Sequence, residues 1–382
     1  MVHNQPKSRA YLDWNATAPV SAAAKAAAMA ALEACGNASS VHSEGRARRA
    51  IVETARRALA ERFSVQPDAV TFTSGGTEAN AMALAPGVCA PGRAPAERLV
   101  VSAVEHAAVR AGGRFADATV VPVDADGRID LAALAETLAA GAPALVSVMA
   151  ANNETGVRQP LAEIAALAAE HGATFHSDAV QAFGRVPDET LAADIVTLSG
   201  HKLGAPTGVG ALVRRGDVRL SPLIRGGGQE RGLRGGTENV VAIAGFGAAL
   251  TEPAAHPAAW GETEAARDAF EAALLSRLPG AVVFGGNAPR LPNTSLFSPG
   301  PVPAELALIA LDLEGVAVSS GAACSSGKVS ESHVLLAMGV DAKTAATAIR
   351  ASVGPQGAQP QFAQLLGALS AVLPRMAALS PA

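Results

Sequence analysis

The sequence predicts an α/β fold with a mostly parallel sheet in a large domain and a smaller α+β domain after it. Two observations carry this prediction. Short runs rich in β-branched residues alternate with alanine- and leucine-rich stretches of helical spacing, and this pattern changes after about Thr251. A chain of 382 residues is long enough to form both domains.

Seven runs in the first part of the chain are typical of buried strands, and segments such as 130–140 and 160–171 between them have helical spacing. Strands joined by helices favour a parallel sheet covered on both faces. We therefore predict a large domain over residues 16–254. The strand candidates are 69–73, 98–104, 119–123, 144–150, 173–178, 194–199 and 209–215.

The remainder of the chain predicts a second domain. A charged helix near 260–278 precedes two short strands, AVVFGG (281–286) and NTSLFS (293–298), and helices near 304–313 and 361–373. We assign residues 1–15 and 255–382 to this small domain, which contains the cysteine-bearing segment SSGAACSSGK (319–328).

Composition excludes several classes of protein. The net charge is −4 with no basic block, which disfavours nucleic acid as a partner, and no apolar stretch is long enough to cross a membrane. The first residues lack the apolar core of a signal peptide, so we expect a cytoplasmic location. With three cysteines, no CxxC pair and no histidines at i, i+4 spacing, we expect neither a disulfide framework nor a metal site.

Polar residues follow several of the predicted strands. In parallel sheets the chemistry collects at the carboxyl ends of the strands, so these residues should meet at one edge. The segments are TSGGT (73–77), EH (105–106), NNETG (152–156), DAVQ (178–181) and SGHK (199–202).

TSGGTEAN (73–80) follows a strand and opens a helix, where backbone N–H groups can bind an anion. A glycine turn with a threonine cap is an equally good local interpretation. The segment matches neither a Walker A sequence nor a GxGxxG fingerprint, so nucleoside triphosphates and dinucleotides are disfavoured.

Three further side chains fit one cofactor. Lys202 can form an imine with an aldehyde, Asp178 can pair with a pyridine nitrogen, and His106 can stack on a flat ring. Taken singly, a solvated lysine, a helix-capping aspartate and a structural histidine are at least as good. Taken together with the anion site, they indicate pyridoxal 5'-phosphate.

The sequence resembles the cysteine desulfurases of the NifS/IscS kind, which have the class-V aminotransferase fold. The matching segments occur in the family's order from about residue 11 to 354, and together they are highly specific. They are YLDWNATAPV, NASSVHSEGR, TSGGTEAN, EHAAV, NNETGV, HSDAVQAFG, SGHKLGAPTGVGAL, GGGQERGLRGGTENV, SSGAACSSG and AIRASVG.

This resemblance implies a fold-type I enzyme that depends on pyridoxal 5'-phosphate. Lys202 would carry the cofactor as an imine, His106 would stack on its ring, and Asp178 would pair with its nitrogen. Gln181 would contact its phenolic oxygen. The phosphate would be held by Gly76, Thr77, Ser199 and His201.

The resemblance also implies how substrate and subunits are arranged. Asn153 would lie beside both cofactor and substrate, and Arg350 would bind the substrate α-carboxylate through its guanidinium fork. An arginine at a helix end is the alternative for Arg350. The threonine matching Thr237 reaches a phosphate across the dimer interface in the family, which implies a homodimer.

The implied reaction converts L-cysteine to L-alanine and leaves the sulfur on Cys324 as a persulfide, with His106 as a candidate acid/base. Its glycine- and serine-rich surroundings favour a loop that moves between the active site and a sulfur-acceptor protein, such as an iron–sulfur scaffold. Cys35 and Cys89 are expected to be incidental.

Three alternatives remain open at this point. A selenocysteine lyase or another β-eliminating lyase of the same fold would share the cofactor without needing Cys324 in the same way. A non-enzymatic sulfur carrier is disfavoured because the predicted catalytic residues are all present. A cofactor-free cysteine hydrolase would need a His/Asn constellation beside Cys324, and none is evident.

Overall fold

The computed structural model of the protein describes residues 9–321 and 331–377. Its helices are α1 (Ala22–Glu33), α2 (Ser43–Phe63), α3 (Gly76–Ala83), α4 (Ala107–Arg110), α5 (Leu131–Ala139), α6 (Leu161–Glu170), α7 (Val240–Ala249), α8 (Gly261–Arg277), α9 (Ala304–Leu313), α10 (His333–Ala337), α11 (Ala342–Ala345) and α12 (Ala358–Ala377). Its strands are β1 (Ala10–Tyr11), β2 (Val70–Thr73), β3 (Arg98–Ser102), β4 (Thr119–Val121), β5 (Ala144–Ser147), β6 (Thr174–Asp178), β7 (Ile195–Ser199), β8 (Gly210–Arg214), β9 (Val282–Val283), β10 (Thr294–Ser298), β11 (Val316–Ala317), β12 (Ser319–Ser320) and β13 (Ile349–Ser352).

The large sheet has seven strands in the order β2-β8-β7-β6-β5-β3-β4. Strand β8 runs antiparallel to both of its neighbours, and the other pairings are parallel. The prediction of a mostly parallel seven-stranded sheet is confirmed. Because β8 is reversed, its first residue lies at the edge where β2, β6 and β7 end.

Both faces of this sheet are buried. Along β3 and β5, Val100 and Val146 pack into one hydrophobic cluster, and their neighbours Leu99 and Leu145 pack into another on the opposite face. Successive strand residues point to opposite faces, so alternating apolar residues supply two cores at once. This explains why the strands read as nearly continuous hydrophobic runs.

A second sheet is antiparallel, in the order β12-β13-β10-β9, and β1 pairs with β11 in a short parallel ladder. The N-terminal residues Ala10 and Leu12 pack into the same hydrophobic cluster as Phe297 and Val316. This contact supports the proposed assignment of the N-terminal segment to the small domain, whose boundaries stay a prediction.

The small domain departs from the sequence prediction in several places. The strand predicted at 281–286 spans only Val282–Val283, and the helix predicted at 361–373 extends over Ala358–Ala377. The short elements β1, β11, β12, α10 and α11 were not predicted, nor was strand β13. Its four residues alternate only briefly, and its place between β10 and β12 is set by residues far away in the chain.

Among the described residues, no helix is both long and apolar enough to cross a membrane.

Candidate active site

A cavity of about 430 Å³ lies where β2, β6 and β7 end and β8 begins. Thr237 lies outside it, in an adjoining pocket that shares Ser74 and Gly208 with the cavity. Cys324 lies outside the described residues. The predicted site residues that line the cavity are Gly76, Thr77, His106, Asn153, Asp178, Gln181, Ser199, His201, Lys202 and Arg350.

The start of α3 forms one wall of the cavity. Residues 74–77 lead from β2 into this helix, whose first N–H groups have no partner within the helix. A Cβ atom at Gly210 would lie 2.5 Å from the carbonyl carbon of Gly75, so glycine is required for β8 to come this close. The result is an open, positively polarised helix end beside the cavity, which fits an anionic group.

His201 lies on the same side of the cavity and is uncharged at neutral pH. Burial, together with the positive charge of Lys202, lowers the pKa of His201 to about 4. Its Nδ1 atom is 3.1 Å from the hydroxyl of Thr17. A neutral imidazole held in this way can take part in hydrogen bonds to an anion without adding charge.

The amine of Lys202 lies directly after β7, on the single helical turn Gly200–Lys202. Its Nζ atom donates hydrogen bonds to the carbonyl oxygens of Asn15, at 2.6 Å, and Ala16, at 2.8 Å. These two carbonyls hold the amine at the cavity wall. An amine in a partly buried site is the group that imine formation requires.

The carboxylate of Asp178 ends β6 and is buried. Its Oδ1 atom accepts a hydrogen bond from the Val180 N–H at 2.9 Å, and Oδ2 accepts one from the Asn80 side chain at 2.7 Å. The bond from Val180 closes a local turn, but no helix begins at Asp178, so the helix-capping alternative is wrong, and Asp178 lines the cavity. Asn80 was not identified from the sequence, because its link to Asp178 joins residues 98 positions apart.

Asn15 is a second residue that sequence analysis did not single out. It is fully buried and lines the cavity, and its carbonyl oxygen accepts hydrogen bonds from Lys202 and from Gln181 Nε2 at 2.9 Å. Its side-chain oxygen accepts one from Arg185 Nη1 at 2.9 Å, and its amide donates to the Thr294 hydroxyl at 2.9 Å. Asn15 therefore connects the large sheet with strand β10.

Arg350 lines the cavity from the second sheet, whereas the start of α3 follows β2 of the large sheet. It projects from strand β13, so the alternative of an arginine at a helix end is wrong. Nη2 donates to Asp13 Oδ1 at 2.7 Å, and Nη1 donates to the carbonyl of Asn153 at 3.0 Å. Its buried Nε–H has no partner among the described residues. The two bonds to Asp13 and Asn153 thus hold the guanidinium in place at the cavity.

Glu154 is a buried carboxyl next to this arginine, and sequence analysis did not identify it. Burial raises the pKa of Glu154 to about 7, although a hydrogen bond from Ser332 and the charges of Arg350 and His106 act in the opposite direction. The Ser332 hydroxyl donates to Glu154 Oε2 at 2.5 Å. The charge of Glu154 therefore changes near neutral pH.

His106 and Glu105 complete this end. His106 Nδ1 accepts a hydrogen bond from the Ala108 N–H at 3.1 Å and so caps α4, as the structural interpretation of this histidine expects, while it also lines the cavity. Burial raises the pKa of Glu105 well above its ordinary value, against a hydrogen bond from the Met149 N–H.

The donor set fits pyridoxal 5'-phosphate. The cavity contains an amine for the aldehyde, a carboxylate for the ring nitrogen and an open helix end for the phosphate, and Gly76 and Gly210 leave the backbone around that end uncovered. The structure shows no group of three or more histidine, cysteine or acidic residues that could hold a metal ion within residues 9–321 and 331–377.

Comparisons with known proteins agree with this geometry. The family model described as Aminotransferase class-V matches residues 10–365. A protein of Cereibacter sphaeroides named cysteine desulfurase is 43% identical over 98% of this chain and 98% of its own length. A protein of Dictyoglomus turgidum named cysteine desulfurase IscS is 38% identical over 98% of this chain and 97% of its own.

The fold has counterparts among solved structures. A NifS-like protein from Rickettsia africae superimposes with a TM-score of 0.85 at 33% sequence identity, covering 95% of this chain and 99% of that one.

Proposed function

The chain belongs to the class-V aminotransferase family, among its cysteine desulfurases, and we propose that it converts L-cysteine to L-alanine with pyridoxal 5'-phosphate as cofactor. The observation that carries the proposal is the meeting of Lys202, Asp178, Arg350 and the start of α3 around one cavity. These groups come from four separate parts of the chain. Each matches a different part of the cofactor or substrate.

The proposed cofactor-binding residues divide by the chemistry they offer. Lys202 supplies the amine that attaches the cofactor, and Asp178 supplies a negative charge for the ring nitrogen. The phosphate lies at the start of α3 with Gly76, Thr77, Ser199 and His201. When bound, pyridoxal phosphate withdraws electrons from an attached amino acid and makes its α-hydrogen acidic.

The substrate side is proposed at the Arg350 end. Arg350 binds the α-carboxylate of cysteine through charge-assisted hydrogen bonds, and its fixed contacts with Asp13 and Asn153 set its orientation in advance. His106, which lines the cavity, holds or passes on the proton that moves during the reaction. Gln181 would contact the phenolic oxygen of the cofactor, and Asn153 would lie beside both cofactor and substrate.

Cys324 is the proposed sulfur acceptor. Its thiolate attacks the substrate sulfur, so a sulfur–sulfur bond forms as the carbon–sulfur bond breaks. The electron pair of the broken bond stays with the substrate carbon, which takes up a proton, and the products are L-alanine and a persulfide on Cys324. No external oxidant is needed. We propose that the persulfide is then passed to an acceptor protein, such as an iron–sulfur scaffold.

A homodimer is part of the proposal. Thr237 lies outside the cavity, in an adjoining pocket that also contains Ser74. We propose that it contributes to the active site of the other subunit. Mixed dimers of Lys202→Ala and Thr237→Ala subunits test this. If Thr237 acts across the interface, one site of each mixed dimer contains both wild-type residues and part of the activity returns. If each subunit uses its own Thr237, no activity returns.

An absorbance spectrum of the full chain supplied with pyridoxal 5'-phosphate tests the cofactor and its anchor. We expect a visible band that is lost in Lys202→Ala and kept in Lys343→Ala, because Lys343 is exposed and lies outside the cavity. Alanine should form from cysteine only in the proteins that keep the band. A protein that stays colourless, or a Lys202→Ala variant with an unchanged band, contradicts the proposal.

A further inference from the structure

A chain of buried hydrogen bonds runs from strand β5 to the carboxylate of Asp178. The Ser147 hydroxyl is 2.8 Å from His176 Nδ1, and His176 Nε2 is 3.1 Å from the Thr197 hydroxyl. The Thr197 hydroxyl donates to Asn80 Oδ1 at 2.5 Å, and Asn80 Nδ2 donates to Asp178 Oδ2 at 2.7 Å.

Sheet register brings these side chains together. Ser147 lies opposite His176 where β5 meets β6, and Thr197 lies opposite Asp178 where β6 meets β7. His176 and Asp178 are two positions apart on β6, so they point to the same face. Helix α3 then supplies Asn80 from above this face.

Asp178, the last acceptor, fixes the direction of every hydrogen bond from Ser147 to Asn80. An ionised carboxylate only accepts, so the amide nitrogen of Asn80 faces Asp178 and its oxygen faces Thr197. The Thr197 proton is then used, so this hydroxyl accepts from His176 Nε2–H. His176 is left with an unprotonated Nδ1 that accepts from Ser147. All four donors therefore point toward Asp178.

The chain is buried along its whole length. Ser147, His176 and Thr197 are 0% exposed, and Asn80 is 1% exposed. Burial lowers the pKa of His176 to about 3, so the imidazole stays neutral and does not repel a protonated ring nearby. Hydrogen bonds are stronger in such low-dielectric surroundings, and a buried polar group without a partner is costly.

We propose that Asn80, Thr197 and His176 are positioning residues that keep Asp178 ionised and aimed at the ring nitrogen of the cofactor, a role that rests on the proposed function. They do so by donating in one direction toward the carboxylate. If Asp178 Oδ2 donated to Asn80, the Asn80 amide would be flipped and the His176 proton would lie on Nδ1 in place of Nε2. The His176 tautomer therefore reports the direction of these hydrogen bonds.

Thr197→Val tests the chain with little change in side-chain volume. It removes the hydroxyl that joins Asn80 to His176, and Thr197→Ser restores it. Thr174→Val is the matched control. Thr174 lies on β6 and, like Thr197, is fully buried. Its hydroxyl oxygen accepts a hydrogen bond from the Ala90 N–H at 2.9 Å, which is not part of the hydrogen-bond network that ends at Asp178.

The first readout is the ¹⁵N NMR spectrum of the histidine side chains in the full chain, before and after pyridoxal 5'-phosphate is added. We expect neutral His176 with its proton on Nε2 in both samples. A proton on Nδ1, or a charged imidazole, overturns the proposal even if the protein binds no cofactor. This readout therefore tests the hydrogen-bond network separately from the proposed function.

The second readout uses cofactor labelled with ¹⁵N at the ring nitrogen. In Thr197→Val we expect its resonance to move toward that of an unprotonated ring and cofactor binding to weaken about tenfold, the size expected for the loss of one buried hydrogen bond. Thr197→Ser and Thr174→Val should keep the wild-type resonance. An unchanged resonance in Thr197→Val, or an equal shift in Thr174→Val, overturns the proposal and shows a purely structural role.

Discussion

At the Asp178 end of the cavity, the polar side chains are buried and joined by hydrogen bonds that point in one direction, whereas the Arg350 end contains a carboxyl group, Glu154, whose charge responds to pH near neutrality. Asp178 is supported by Asn80 and, through it, by a neutral histidine. Around Arg350 stand Glu154, with its pKa near 7, and the cavity-lining His106.

The difference follows from what each end is proposed to do. A ring nitrogen that must stay protonated needs one fixed negative charge, which a network without titrating members provides. A substrate end that must bind a carboxylate and move protons needs groups with pKa values near the working pH. The predictions below test this contrast.

The largest effect is expected at the fixed end. Asp178→Asn removes the negative charge and places an amide donor against the Asn80 amide, so we expect kcat to fall on the order of a hundredfold to a thousandfold. Steady-state alanine production measures this loss. The account fails here if kcat stays within a few-fold of wild type while the variant is folded and binds cofactor.

At the substrate end, Arg350→Lys keeps the positive charge but loses the planar fork. We expect KM for cysteine to rise about tenfold to a hundredfold, with a smaller change in kcat, because the lost bonds are charge-assisted.

Arg290→Lys is the matched control for this substitution. Arg290 donates two hydrogen bonds to Glu271, at 2.7 and 2.6 Å, away from the cavity. It should lower stability and leave KM unchanged. A KM that responds equally to both substitutions would show that Arg350 acts only through the fold.

The third effect is a pH dependence of stability. The pKa of Glu154 rises from 4.5 to about 7 on folding, so the folded state holds an extra proton between these pH values. This group therefore makes the free energy of unfolding fall as pH rises from 4.5 to 7. Glu154→Gln mimics the protonated form. Above pH 7 it should be more stable than wild type by up to about 3 kcal/mol, and below pH 4.5 the two should agree.

Urea unfolding of both proteins at several pH values measures this difference, with Glu163→Gln, at an exposed position on α6, as the control. Parallel stability curves for wild type and Glu154→Gln would show that Glu154 does not titrate in this window.

The smallest effect concerns Ser332, which both caps α10 through the Leu335 N–H and donates to Glu154. Ser332→Ala should cost about 1 kcal/mol through the lost cap. It should also raise the pKa of Glu154 further, because a bond that favours the carboxylate is lost. Asp341→Ala, which removes the cap of α11, should cost a similar amount without moving the pH dependence in the Glu154 window, because hydrogen bonds from Thr344 lower the pKa of Asp341 and keep its titration below that window.

The contrast between the two ends also explains what the sequence could predict. Lys202 and Asp178 directly follow or end recognisable strands, and the edge rule for parallel sheets places them together. Thr197 and His176 lie inside strands and read as ordinary strand residues. Their contact depends on register between β6 and β7, which local pattern does not reveal.

At the substrate end, different features could not be predicted from the sequence. Arg350 was found through its motif, but its strand was not, because β13 is four residues long and is held by distant partners. Glu154 lies within the recognisable segment NNETG, yet its bond to Ser332 joins residues 178 positions apart. A raised pKa of this kind follows from tertiary burial and has no local sequence signal.

The most direct test of the account is a single turnover with cysteine that carries isotopically labelled sulfur. The full chain with bound pyridoxal 5'-phosphate is mixed with a limiting amount of this substrate, without reductant, and its peptides are analysed by mass spectrometry. The account predicts one alanine for each labelled sulfur atom, with that atom on Cys324. Labelled sulfur on Cys35 or Cys89, or alanine formed in full by Cys324→Ser with the sulfur released as sulfide, would contradict it.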